Sequence, residues 1–220
     1  EEIKTTYFPW YNKVQEIRNK SEWKNQAGWL PESSQSLLPF YSILSFIKVF
    51  LCNDARLFNY FNTSHFAWID AGINRTMNPL YYLGNPEFES KLIPYIDKKV
   101  LFLQFPYDGQ VEVHGFQKAA LNRYAGCVTE YVCRGGFFAF HRDAMGEFCD
   151  VFYQTLQQTL HDGSGYLGTE ESIFTILSYQ HKDKIKLHPI EANGLIYKFF
   201  DDLQKNDLPK IKEHPLAFYF

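Results

Sequence analysis

The chain has 220 residues, 45% hydrophobic and 21% charged, a composition expected of one folded globule with a substantial core. Its formal charge of −3 and pI near 6.2 supply no basic surface to hold a nucleic-acid backbone by counterion release, so nucleic acid is not an expected partner. With no run of about 18 uncharged apolar residues and no signal-like N-terminus, neither an integral membrane segment nor a secretory leader is expected.

In chain order, residues 12–24 read as a helix with Val14, Ile17 and Trp23 facing inward, and residues 25–36, polar with Gly28 and Pro31, as a loop. A long helix follows. Pro39 suits its first turn, and Tyr41, Leu44, Ile47, Lys48, Leu51 and Ala55 recur at helical spacing on the side expected to be buried. Lys48 falls within that stripe, where a lysine either snorkels out of the core or is aimed at a phosphate.

The run His65-Phe66-Ala67-Trp68-Ile69 is rich in aromatic and β-branched residues, and it stops at Asp70-Ala71-Gly72. That pattern places Asp70 at a strand's C-terminal tip, the edge where ligands bind in an open α/β sheet, with a glycine that allows a tight turn. A carboxylate there suits a hard divalent cation bridging phosphate oxygens, and it equally suits a turn that merely ends the strand.

Residues 74–85, with Arg75, Pro79 and two tyrosines, read as a loop at the substrate edge, and residues 86–96 as a short helix. Residues 100–105 form a second strand stopped by Pro106; the sequence Glu112-Val113-His114-Gly115 then leads into a helix over 116–124. A strand over 127–133 runs into Arg134-Gly135-Gly136-Phe137-Phe138. Two glycines inside an extended segment mark a bulge or a close approach to the backbone, and Arg134 beside them can fork onto a phosphate or a sugar hydroxyl pair. Asp143 is expected to cap a helix reaching Leu160, with Met145, Phe148, Phe152, Leu156 and Leu160 buried.

A glycine-punctuated loop leads to Thr169, a good N-cap, and to Glu170 and Glu171 in a helix's first turn. Acids there complement the helix dipole, and one of two can point into a cleft as a general base. Residues 185–188 read as an edge strand carrying His188, a metal ligand or a core-edge histidine, and residues 194–200 precede a polar end. Most of the 21 Phe, 15 Tyr and 4 Trp must be core, although stacking on sugar faces is open to a few.

Cys52, Cys127, Cys133 and Cys149 match no zinc spacing and read as buried free thiols, which points to a reducing, cytoplasmic setting. Sequons at Asn19, Asn62 and Asn74 are what a secretory lumen would use.

These stretches together resemble the HtrL/YibB and WlaTC-like glycosyltransferase family. The likeness rests on Pro39-x-Tyr41 with Lys48, Phe66-x-Trp68-Ile69-Asp70-Ala71-Gly72, Arg134-Gly135-Gly136-Phe137-Phe138 and Gly168-Thr169-Glu170-Glu171-Ser172-Ile173, across roughly residues 37–200. The resemblance implies an α/β, GT-A-like (Rossmann-like) fold of the nucleotide-diphospho-sugar transferase superfamily, a mixed central sheet flanked by helices within a single domain over 1–220. It also implies metal-assisted sugar transfer, with Mn²⁺ or Mg²⁺, from a nucleotide-sugar donor to a saccharide acceptor in surface glycan biosynthesis. On that reading Asp70, Lys48, Arg134, Gly135 and Gly136 bind the donor, Asp70 and His188 ligate metal, and Glu171 or Glu170 is the base. Two departures stand out. The usual Asp-x-Asp is reduced to Asp70-Ala71-Gly72, and the first nucleotide-binding unit is either compressed around residues 3–8 or missing from the N-terminus. Both departures are also expected of the rival reading, a glycan- or nucleotide-sugar-binding domain that keeps the fold without catalysis. A metal-dependent phosphate-ester hydrolase would want more converging His and Asp ligands.

Overall fold

The computed structural model describes residues 8–72, 87–107, 112–190 and 195–205. The expected substrate-edge loop with Arg75 and Pro79, the Asn74 sequon, and residues 3–7 of the compressed N-terminal unit lie outside the described residues. The chain is mixed α/β. Helices α1 (Tyr11–Arg18), α2 (Ser21–Lys24), α3 (Ser34–Leu37) and α4 (Tyr41–Phe58) precede β1 (His65–Ile69). Then come α5 (Glu87–Ile96), β2 (Val100–Pro106), the β3–β4 hairpin (Glu112–Val113 and Phe116–Gln117) and α6 (Lys118–Ala125). The last part is β5 (Tyr131–His141), α7 (Arg142–His161), α8 (Glu170–Gln180), β6 (Ile185–Pro189) and α9 (Tyr197–Lys205).

The main sheet has the order β1-β5-β2-β6. Strand β5 runs antiparallel to both β1 and β2, and β2 pairs in parallel with β6, so β1, β2 and β6 point one way and their C-terminal ends share an edge. Alternation along the central strands sends side chains to both faces. Phe102 and Phe138 pack on Phe148 of α7 and Phe174 of α8, whereas Phe137 packs on Phe199 and Phe200 of α9. The core is therefore rich in phenylalanine, as the composition implied, with Phe46, Phe102, Phe116, Phe137, Phe138, Phe140, Phe152, Phe174 and Phe199 under 2% exposed.

The register places the bulge at the adjacent glycines. Phe102 pairs with Phe138 and Gln104 with Cys133, so Leu103 alone faces Arg134, Gly135, Gly136 and Phe137. The surplus residues bow out beside the end of β1, where the Asp70 N–H donates to the Gly136 carbonyl at 2.9 Å.

Several boundaries differ from expectation. The first helix breaks after Arg18 into α1 and α2, although Val14, Ile17 and Trp23 are buried as expected. The expected loop over 25–36 contains a 3₁₀ turn (Leu30–Glu32) and the start of α3, whose Ser33 cap accepts from the Ser36 N–H. Phe116 belongs to a hairpin strand and not to α6. Helix α7 keeps its expected buried side, but its cap is His141, whose Nδ1 accepts from the Asp143 N–H, and Asp143 sits in the first turn. Cys127 is exposed; the other thiols are buried, and none is paired.

The largest correction concerns α4. Its buried side is Ser42, Ile43, Ser45, Phe46, Val49 and Cys52, and the expected inward stripe is turned outward, with Leu44 61% and Leu51 46% exposed. Both arcs carry apolar residues at helical spacing, and the helix docks through the one holding Phe46, which stacks on Phe8. Lys48 thereby leaves the core stripe and comes to lie over the end of β1.

Candidate functional site

At that edge four segments meet around one ammonium. Lys48 projects from the middle of α4, and Asp70 is the first residue beyond β1. Gly135 lies in the β5 bulge, and Glu170 opens α8. The Lys48 Nζ lies 2.9 Å from Asp70 Oδ1 and 3.0 Å from Oδ2. It donates to Glu170 Oε1 at 2.6 Å and to the Gly135 carbonyl at 3.2 Å. The Trp68 indole N–H, two residues back on β1, donates to Asp70 Oδ1 at 2.7 Å and fixes the carboxylate's plane. Exposure within the cluster is graded: the side chain of Glu170 is 5% exposed, Lys48 11% and Asp70 38%, so Asp70 is the part open to a ligand.

The neighbouring acid points elsewhere, because successive helical residues are about 100° apart. Glu171 Oε2 lies 2.6 Å from His114 Nδ1 in the β3–β4 turn, and Oε1 accepts the Gly135 N–H at 2.7 Å. Arg134 Nη1 is 3.6 Å from Oε1, and its guanidinium lies over the Phe105 ring. Gly135 therefore serves both halves, giving its carbonyl to Lys48 and its N–H to Glu171. A Cβ on it would stand 2.1 Å from Glu170 Oε1 and 2.6 Å from Cδ, which is why the bulge carries glycine there. The close approach expected at the paired glycines is made by the chain's own carboxylate.

Burial and charge divide these groups. Burial pulls the Lys48 pKa down, but Glu170 and Asp70 outweigh it and hold the ammonium charged above its ordinary range. Burial pushes the Glu170 carboxyl up, and Lys48 offsets only part of that. Glu171 is buried as well, yet His114, Arg134 and the Gly135 N–H bring it down to about 2. His114 is correspondingly raised, the Glu171 carboxylate prevailing over desolvation. Tyr41, from the Pro39-x-Tyr41 motif, feels the same cluster: burial first, then Glu170 and Glu171, raise its phenol.

His188 is not part of this assembly. It lies on the sheet face that carries α5 and α9, fully buried, with Nδ1 2.8 Å from the Tyr95 hydroxyl, Nε2 3.5 Å from Asp202 and its ring edge-on to Phe199. Burial lowers its pKa to about 4. Buried among Tyr95, Asp202 and Phe199, it stands as the core-edge histidine of the two readings. Among the described residues no group of three or more His, Cys, Asp and Glu side chains is placed to hold a metal ion. Asp70, Glu170 and the Gly135 carbonyl do converge as hard oxygen donors, but the point they share is filled by the Lys48 ammonium. As placed, these donors fit an ammonium and not a divalent ion.

Of the residues expected at the site, Lys48, Asp70, Arg134, Gly135, Gly136, Glu170 and Glu171 are brought to one edge, and His188 is not. Sequence reasoning missed His114, Trp68 and Tyr41 as members. Tyr41 and Trp68 stood inside the quoted motifs; His114 had only a turn dipeptide to mark it. Two clefts, of about 530 and 370 Å³, lie elsewhere: one between α1, α2 and the loop at Ser164–Leu167, the other by the starts of β2 and β6. The cluster is distinguished by its charge.

Compared with protein-family models, with curated proteins and with solved structures, the chain finds no match in any of the three. The functional reading accordingly rests on the motifs and on this geometry. Among the described residues no helix is long and apolar enough to cross a membrane.

Proposed function

We propose that the chain is a glycosyltransferase of GT-A type that moves a sugar from a nucleotide-sugar donor to a saccharide acceptor in surface glycan biosynthesis. One observation carries the reading: motifs spread over more than a hundred residues of sequence supply Lys48, Asp70, Gly135 and Glu170 to one charge cluster at the C-terminal edge of the parallel strands. That edge is the ligand-binding edge of open α/β sheets, and buried paired charges with shifted pKa values mark functional sites.

In this reaction the anomeric C–O bond to the diphosphate breaks, and its electron pair leaves with the phosphate oxygen. The acceptor oxygen bonds to the anomeric carbon and gives up its proton. Arg134, 30% exposed, faces the leaving diphosphate and stabilises the charge developing there. Asp70 has the open carboxylate and receives the acceptor proton. The two acids first considered as the base are better suited to support. Glu170 is closed off and holds Lys48, and a carboxylate brought to about 2, such as Glu171, is a weak base at neutral pH.

A thermal-shift screen of nucleotide sugars tests this, since a ligand that binds only the folded state raises its melting temperature. At least one donor should stabilise the wild type, and Arg134→Ala should weaken that effect. No stabilisation by any donor would end the reading. The rival, a binding domain without turnover, is favoured by how completely Glu170 and Glu171 are partnered; it is the outcome if a donor binds and is never consumed.

A further inference from the structure

We infer that the Lys48 ammonium is the resident cation of this site: it stands where a divalent ion would be held by Asp70, Glu170 and the Gly135 carbonyl, and nucleotide binding proceeds without such an ion. The oxygens lie 2.6 to 3.2 Å from Nζ, which are N–H···O lengths; Mg²⁺ and Mn²⁺ draw oxygen ligands to roughly 2.0–2.2 Å. A metal entering the same point would meet a like charge at hydrogen-bond distance. Among the described residues the other nearby cationic side chains, Arg134 and His114, are engaged by Glu171, and Lys48 is the one that answers Asp70 and Glu170. Its tether is rigid, a residue in the middle of an 18-residue helix whose side chain is 11% exposed. The reduced Asp70-Ala71-Gly72 motif fits this arrangement, because one carboxylate partnered by a built-in ammonium does not need a second to hold a dication. The position of the cation stands on geometry alone; its part in donor binding rests on the transferase reading.

The same geometry states what removing the amine must do. Lys48→Met keeps the apolar stem and empties the Nζ point, leaving two carboxylates and a carbonyl facing one another, a hard-oxygen site for a dication. Wild type and Lys48→Met would be titrated with Mn²⁺, reading the electron paramagnetic resonance signal of free Mn²⁺ and the melting temperature with Mn²⁺ or with EDTA.

The wild type should take up no Mn²⁺ that Asp70→Asn abolishes, and its melting temperature should be the same in Mn²⁺ and EDTA. Lys48→Met should bind Mn²⁺ and, at a hundredfold excess over Kd, melt about 5–10 °C higher than in EDTA. Lys48→Met/Glu170→Gln should lose that gain. If Lys48→Met is unfolded in EDTA and folded in Mn²⁺, the inference holds. Should it be unfolded in both, the wild type alone decides, by whether its binding of UDP or GDP survives EDTA unchanged. Mn²⁺ uptake by the wild type at Asp70, no uptake by a folded Lys48→Met, or loss of nucleotide binding in EDTA would each overturn it. If neither UDP nor GDP binds under any condition, the transferase reading fails while the Mn²⁺ measurements still judge the cation; with Lys48→Met also unfolded, the inference falls with that reading.

Discussion

Gly135→Ala is the smallest change that reaches the whole site. The added Cβ would stand 2.1 Å from Glu170 Oε1, 2.6 Å from Cδ and 2.9 Å from Cγ, all closer than nonbonded carbon contacts permit. A free side chain would swing aside cheaply, but Glu170 is held by Lys48 at 2.6 Å and is 5% exposed. Relief therefore requires breaking that pair or bending the bulge, which would pull the Gly135 N–H from Glu171. Overpacking costs about 1–3 kcal/mol, and freeing one partner of a buried pair costs about 3–5 kcal/mol when complete. Partial relaxation of both places the loss near 2–4 kcal/mol. For a chain of this size that lowers the melting temperature by about 4–16 °C. Calorimetry on Gly135→Ala, Glu170→Ala and the double variant forms the cycle. The double variant should lose much less than the sum, because deleting the Glu170 side chain vacates the space that the new methyl needs. Gly28→Ala is the control, with nothing within 4 Å of its Cβ, and should be nearly neutral. A Gly135→Ala protein as stable as wild type, or strict additivity, would refute the packing argument.

The Glu171–His114 pair sets a pH window. Glu171, lowered to about 2 from 4.5, contributes stability that is present above pH 4.5 and lost as pH falls towards 2, on the order of 3 kcal/mol. His114 is raised, so its contribution is complete below pH 6.5 and is lost as pH rises through its folded value. The stability difference between wild type and Glu171→Gln, followed by denaturant titration, should therefore be largest between about pH 4.5 and 6.5 and shrink on both sides; a flat difference would mean that the pair is not charged. On α4, Phe46→Ala should cost about 3–5 kcal/mol and Leu44→Ala under about 1 kcal/mol, measured the same way, and the reverse order would restore the stripe first expected to be buried. Lys198, which pairs with Asp202 beside His188, can be replaced by Ala without changing nucleotide binding if that buried face is structural only.

Strands β1, β2 and β6 were legible because their residues carry a period-independent apolar signal bounded by breakers, whereas β5, expected from residue 127, begins at Tyr131 and runs on to His141. The run ending at Asp70 and the one stopped by Pro106 came out within a residue or two. Glycines 135 and 136 were legible as a bulge or a close approach to the backbone, and both are found: the register shifts there, and Glu170 packs against Gly135. The face of α4 was not. Periodicity finds an apolar arc, and α4 has two, so only tertiary packing decides that Phe46 goes in and Leu44 out. Membership of the site was read from charge and position at Lys48, Asp70 and Glu170. His114 escaped because its role depends on a hairpin of two-residue strands, too short to show alternation. His188 was ambiguous from sequence alone: a lone histidine near a strand end looks the same whether it meets a metal or, as here, Tyr95 and Asp202.

The central claim is sugar transfer, and product formation tests it more directly than binding. Wild type and Asp70→Asn would be incubated with a panel of nucleotide sugars and an oligosaccharide mixture in EDTA, and released nucleoside diphosphate and glycosylated product quantified together. The account expects one donor to be consumed by the wild type with equal amounts of the two products, and a loss of about 10²-fold or more in Asp70→Asn with its fold intact. Consumption of no donor, or equal turnover by the two proteins, would contradict it.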